Sequence, residues 1–116
     1  MINGSHVIFF SGDPDADRAF LADVLGQRHV DAGGGWLIFK LPPAELAVHP
    51  TNGPSGHELY FMCDDLDATM GDLRARGVEF ADDVSEERWG RLTHFRLPGG
   101  GEVGMYEPRH PRATDL

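Results

Sequence analysis

The sequence predicts an α+β domain built from two copies of one βαβββ module. Three observations carry this. A similar run recurs near the end of each half: Phe39-Lys40-Leu41-Pro42-Pro43-Ala44-Glu45 in the first, and Phe95-Arg96-Leu97-Pro98 followed by Gly99-Gly100-Gly101-Glu102 in the second. The halves also open alike, with Gly4-Ser5-His6 and Ser55-Gly56-His57 each leading into an apolar run. His6 and His57, Asp13 and Asp64, and Gly26 and Gly77 all keep one common offset. A repeat of about fifty residues is too long for the common solenoid units and too short to bury a core of its own. Two copies sharing one core would set equivalent residues, the two histidines among them, across a pseudo-two-fold axis.

The elements follow in order. Val7-Ile8-Phe9-Phe10 is an apolar run that reads as a buried strand. Asp13 is a good N-cap with Pro14 at the first helical position, so a helix is expected over residues 15–25. Ala19, Leu21, Ala22 and Leu25 form its apolar face, widened by Phe20 and Val24, and Gly26 stops it. Residues 28–32 are a weak strand, Gly33-Gly34-Gly35 a turn, 36–41 a strand, Pro42-Pro43 a turn and 45–49 a short strand. Residues 50–56 link the modules. The second copy repeats the order: a strand over 58–63, and a helix over 66–76 capped by Asp64 or Asp65, with Leu66, Met70 and Leu73 inward. Gly77 ends that helix. Strands are expected over 78–84, 91–97 and 102–106, with a loop over 85–90, a turn at Gly99-Gly100-Gly101 and a loose tail after Pro108.

The bulk composition narrows the function classes. One domain accounts for all 116 residues, with modules at about 4–50 and 56–108, and the 41% hydrophobic and 25% charged residues suit a folded soluble chain. A net charge of −9 repels nucleic acid, whose binding rests on neutralising phosphates with Lys and Arg. No stretch reads as a secretion signal or a bilayer span, so a cytoplasmic protein is expected with no membrane partner. The one cysteine, Cys63, has no internal disulfide partner and reads as a small buried apolar residue.

The paired βαβββ order, a His opening the first strand of each half, and the Pro98-Gly99-Gly100-Gly101 turn before the last strand together resemble the vicinal-oxygen-chelate superfamily. That group includes glyoxalase I, bleomycin-resistance proteins, fosfomycin-resistance enzymes and extradiol dioxygenases. The resemblance spans about residues 4–108. It implies an open, curved, eight-stranded mixed sheet around a concave cavity, with the two helices outside, and pairing into a homodimer. The cavity would lie within one chain or across two. In metal-using members four sheet positions hold a divalent ion. Those in the first strands fall on His6 and His57. Those in the last strands, where glutamate is usual, fall on Ala47 and Gly104, a departure from the family pattern.

Strand alternation then puts Glu45 and His49 on the face of Ala47, and Glu102 and Tyr106 on the face of Gly104. Three readings compete. In the first, the protein is a divalent-metal-dependent lyase, isomerase or dioxygenase acting on a small oxygen-rich molecule. His6, His49 and His57 would hold Fe, Zn, Ni or Mn, Glu102 or Glu45 would serve as ligand or base, and Tyr106 as hydrogen-bond donor. In the second, it is a metal-free, bleomycin-resistance-like binding protein in which Trp36, Trp89, Phe10 and Phe61 stack on an aromatic or cationic ligand. In the third, the cavity is vestigial and the module serves interactions. Set against these, His94 reads as a sheet or surface residue, and His29 and His110 as solvent-exposed. Asp64, Asp65, Asp82 and Asp83 read as solvated turn and capping charges, and Glu45 and Glu102 as strand-edge partners of Lys40 and Arg96.

Overall fold

The computed structural model describes residues 6–54 and 56–116. Gly4, Ser5 and Ser55 of the two matching openings lie outside the described residues. Both helices form where the local chemistry demands. Asp13 accepts a hydrogen bond from the Ala16 amide at 3.2 Å and caps α1, Pro14–Ala19, which continues into a π-helical turn, Phe20–Val24. Asp65 accepts from the Ala68 amide at 3.0 Å and caps α2, Leu66–Ala75. Glu107 accepts from the Leu66 amide at 2.8 Å, satisfying a further helix-end donor. Gly26 and Gly77 take positive φ, 65° and 87°, and end the two helices as expected. No helix among the described residues is long and apolar enough to cross a membrane.

The strands fall into two sheets. β1, His29–Asp31, and β2, Leu37–Phe39, make an antiparallel hairpin around the glycine turn, where Asp31 accepts from the Gly33 amide at 2.7 Å. The second sheet holds β3 (Tyr60–Met62), β4 (Ser85–Glu87), β5 (Gly90–Arg96) and β6 (Glu102–Pro108) in the order β3-β6-β5-β4. Its β3–β6 pair is parallel and the others antiparallel, so the sheet is mixed. One row crosses its centre: Tyr60 pairs with Gly104, and Gly104 with His94.

Six strands, not the expected eight, are formed among the described residues. The apolar runs at 7–10 and 45–49 make no ladder, and Phe10, Leu46 and Val48 are 96%, 93% and 94% exposed. The physical reason is the position of the core. All eight buried hydrophobic residues (Leu66, Met70, Leu73, Val78, Phe95, Leu97, Val103 and Met105) belong to the second half. α1 joins this core instead of building another. Its continuation sends Phe20, Val24 and Leu25 onto the outer face of the second sheet, with the Phe20 and Phe95 rings stacked at 6.2 Å. That leaves the first half no apolar layer on which 7–10 and 45–49 could condense.

A second correction concerns 78–84, where a full strand was expected. Only Phe80 bridges to Phe95, and regular pairing instead occupies part of the expected loop as β4. The cause is Asp82. Its carboxylate takes the Thr93 hydroxyl and the His94 amide, both at 2.8 Å, in place of a continuing backbone ladder. The tail is also better tied than expected: Ala113–Asp115 form a 3-10 turn, and the Ala113 amide donates to Glu45 at 2.8 Å.

Alternation splits the second sheet cleanly. Phe61, Thr93, Phe95, Val103 and Met105 face the helices, while Tyr60, His94, Gly104 and Tyr106 share the opposite face. Gly104 is required there, because a Cβ at 104 would overlap the Tyr60 ring. Gly104→Ala is therefore expected to destabilise the protein by about 1–3 kcal/mol, the range for overpacking. Urea unfolding at equilibrium checks it; an unchanged midpoint would place the Tyr60 ring elsewhere.

Candidate functional site

The face opposite the helices carries a cavity of about 480 Å³, within the range of small-molecule sites. Its walls include Val7, Ile8, Phe9 and Phe10 on one side and His57, Tyr60, His94 and Glu102 on the other. Two glycines make an aromatic floor on this face possible. The Tyr60 ring fills the space above Gly104, and the Tyr106 ring lies 2.6 Å from where a Cβ at Gly90 would stand. With no side chain beneath them, both rings lie over the sheet and meet edge to face at 6.1 Å. His94 extends this floor at 5.6 Å from Tyr60, and Trp89 extends it at 5.5 Å from Tyr106. Such tilted and edge-to-face spacings are the favoured ones for aromatic pairs.

The polar groups around the floor are held in place. The Tyr60 hydroxyl donates to Glu58 at 2.8 Å, and burial, reinforced by Glu58, pushes its pKa up to about 12. The phenol thus stays protonated in neutral solution. Burial and the charge of Glu45 also raise the pKa of Tyr106, whose hydroxyl is hydrogen-bonded to His110. His94 Nδ1 lies 2.8 Å from Asp82 Oδ2. Partial burial of Asp82 favours its protonated form, but hydrogen bonds from Thr93 and His94 outweigh this and hold its pKa below the usual carboxylate range. Burial pushes the Cys63 thiol up, the opposite of what a nucleophile needs.

The candidates named from sequence separate accordingly. Phe10 and Glu102 line the cavity, and Glu102 also stands 4.0 Å from Arg96, the pairing expected of a strand edge. Tyr106 and Trp89 continue the aromatic row from Tyr60 but do not line the cavity. His6 and His57 both line one smaller groove with Val7, Ile8 and Phe10. Phe61 is a correction: it stacks on Phe95 at 6.5 Å on the helix-covered side, because it stands one residue out of phase with Tyr60. Trp36 sits in the β1–β2 turn under the Arg18 guanidinium at 4.9 Å, away from the cavity. His49 turns outward and donates from Nδ1 to the Pro50 carbonyl at 2.8 Å, apart from the other two histidines. Glu45 meets the tail rather than Lys40, with His110 at 3.7 Å. Tyr60, His94 and Asp82 were missed as site residues. The signal for them was strand parity: His94 and Gly104 stand on one face, and Asp82 lies within reach of that row.

A divalent ion does not fit this donor set. Among the described residues no three His, Cys, Asp or Glu side chains converge into a ligand group. Of the two family ligand positions, Gly104 is covered by the Tyr60 ring, and Ala47 lies exposed on a segment without a ladder.

Comparison with known proteins gives the fold its setting. No family model and no curated protein matches the sequence. Solved structures do match over nearly the whole chain. Lactoylglutathione lyase from Agrobacterium tumefaciens is similar at 20% identity with a TM-score of 0.64, covering 90% of this chain and 92% of that one. TnmS3, an antibiotic-binding protein from Streptomyces sp. CB03234, is similar at 26% identity with a TM-score of 0.62, covering 93% and 99%. A member of the glyoxalase/bleomycin resistance protein/dioxygenase superfamily from Sphaerobacter thermophilus is similar at 22% identity with a TM-score of 0.61, covering 90% and 97%. With its mixed sheets and two helices, the chain has the vicinal-oxygen-chelate fold.

Proposed function

We propose that this protein binds an aromatic small molecule in its concave cavity and does so without a catalytic metal. The observation that carries this reading is the Tyr60 ring over Gly104. The same ring that covers a family ligand position lies beside His94 in the cavity wall, and Tyr106 and Trp89 continue the aromatic row beyond it. Stacking on such a floor contributes about 0.5–1.5 kcal/mol per ring beyond area burial. The net charge of −9, with Glu58 and Glu102 on the cavity wall, favours cationic aromatics. Similarity to an antibiotic-binding protein supports the same reading. A metal-dependent lyase or dioxygenase reading has two histidines, His6 and His57, in one groove but lacks a third ligand beside them.

The reading also includes a homodimer. Among its described residues the first half buries no hydrophobic side chain fully, and the chain's radius of gyration is 15.1 Å, against about 13 Å for a compact chain of this size. In the second half the first strand pairs in parallel with the last, Tyr60 to Gly104. The repeat assigns the same pairing to residues 9–11 and 47–49. A second copy of the chain supplies the apolar layer those segments need, and it covers Leu46, Val48 and Phe10.

Two outcomes are expected. Proflavine, a planar aromatic cation, binds in fluorescence titration, and Tyr60→Ala weakens it about 2- to 12-fold, the equivalent of one aromatic contact. Loss of no affinity in Tyr60→Ala, or a turnover that depends on added Mn(II), Ni(II) or Zn(II), would overturn the binding reading. Light scattering on the eluting protein gives about twice the chain mass of 12.7 kDa. The double substitution Leu46→Lys and Val48→Lys shifts it to the single-chain mass. A wild-type protein that stays single at all concentrations would remove the dimer.

A further inference from the structure

We propose that the His94–Asp82 pair is a proton-accepting site in the cavity wall, and that it selects an aromatic ligand bearing an acidic hydroxyl, a phenol or an enol. The inference rests on the aromatic-binding reading and names its ligand class. Asp82 is anchored from three sides, by the Thr93 hydroxyl, the His94 amide and the His94 ring. A carboxylate held ionised is only an acceptor, so the ring atom facing it, Nδ1, must carry the hydrogen. That fixes the tautomer of His94 and leaves the lone pair on Nε2. His94 lines the cavity and Asp82 does not, and with Nδ1 turned to Asp82 the nitrogen left for a ligand is Nε2. No protein group is hydrogen-bonded to Nε2 among the described residues, whereas the neighbouring Tyr60 hydroxyl is already committed to Glu58.

The other titratable and charged groups around the cavity are His57, Glu58, Glu102 and Asp17, with Arg96 beside Glu102. Asp17 is taken up by the Gly99 amide at 2.6 Å. Two carboxylates line the wall, Glu58, which accepts from the Tyr60 hydroxyl, and Glu102, which stands 4.0 Å from Arg96, and the charge of Glu58, which no cation offsets among the described residues, disfavours a ligand that arrives as an anion. A neutral phenol brings its own proton. In the complex its O–H bond breaks, an N–H bond forms at Nε2, and the electron pair stays on the ligand oxygen as a phenolate. The imidazolium keeps its Nδ1–H on Asp82, whose charge offsets it. No oxidant or further reactant is needed. The acidic hydroxyl, and not an acid group in general, is what this arrangement recognises, while the aromatic floor takes the ring.

Three probes of one shape test this: 4-nitrophenol, its methyl ether 4-nitroanisole, and 4-nitrobenzoate. The phenolate of the first absorbs near 400 nm, so its ionisation is read directly in the complex. At pH 6 the bound 4-nitrophenol is expected to show about a 10-fold higher phenolate-to-phenol ratio than the free probe, one pKa unit. The ether binds more weakly, and the benzoate more weakly still. His94→Gln removes the phenolate enrichment, and it weakens the ether only by the loss of one aromatic contact, about 2- to 12-fold. Nitrogen-15 spectra of the imidazole show the Nδ1–H form in the wild type and its loss in Asp82→Asn, with near-UV circular dichroism reporting that the variants are folded. A bound phenol no more ionised than the free probe, or enrichment that survives His94→Gln, overturns the inference while leaving the aromatic-binding reading in place. Failure of both 4-nitrophenol and 4-nitroanisole to bind overturns the two together.

Discussion

The Tyr60 ring lying across Gly104 is the contact on which the rest of the site depends. It exists because three adjacent strands put Tyr60, Gly104 and His94 in one row and the middle residue has no side chain. Strands normally lose stability at an interior glycine, which gives no packing and costs extra conformational entropy. Here a ring from the neighbouring strand covers the bare backbone and recovers apolar contact. The same device recurs at Gly90 beneath Tyr106. Each glycine lowers one ring towards the sheet, and two lowered rings make a floor instead of two projecting side chains. A glutamate at position 104 would project into the space that the Tyr60 ring fills. Metal ligation at that position and an aromatic floor are thus mutually exclusive uses of one volume.

Below the floor, the sheet is held from the opposite side by a core with Phe95 at its centre. Phe20, Phe61 and Phe80 all pack on that ring, at 6.2, 6.5 and 6.4 Å. The arrangement is lopsided between the repeats. Two helices, one from each half, cover a single sheet, and the first half keeps its hairpin and its apolar runs outside. The bond from the Gly99 amide to the buried Asp17 carboxylate ties α1 to the second glycine turn. A charge-assisted bond of this kind is worth about 1.5–3 kcal/mol when its partners are removed from water. It also fixes the cavity end at which that turn lies, since Asp17 and Gly101 both line the wall.

Features with local causes were legible in the sequence. Asp13, Gly26, Gly77 and the turn at Gly33-Gly34-Gly35 act within a few residues of themselves and were placed from their neighbours alone, while the second cap, open between Asp64 and Asp65, is Asp65. The repeat, which carries long-range information in a single chain, put His6 and His57 at equivalent places, and both line one groove. Strands were harder, because a strand is defined by its partner. Residues 7–10 and 45–49 have strand composition, but composition does not supply the apolar layer that α1 gave to the other sheet. Phe61 was misassigned by one step of alternation, the smallest error that reverses a face. His94 was read as a sheet or surface residue and does stand in a strand, but its contact with Asp82 was hidden, because that side chain binds where the pattern of 78–84 predicted a ladder.

The repeat also explains why the two halves need not do the same chemistry. Position for position, Phe9 stands where Tyr60 does, and Ala47 where Gly104 does. Paired in the register of the second half, Phe9 would meet a Cβ that Tyr60 does not meet, so its ring could not settle as low over the strand. It would also bring no hydroxyl. The residue equivalent to Asp82 in the common offset is Asp31, which is committed to the Gly33 amide of the hairpin turn. The first half therefore offers an apolar wall, Val7 to Phe10, with Asp17 at one end, while the second offers the Tyr60 ring, His94 and Glu102. The copies diverge at a glycine, Gly104 against Ala47, and in what an aspartate present in both does: Asp31 holds a turn amide, whereas Asp82 holds His94.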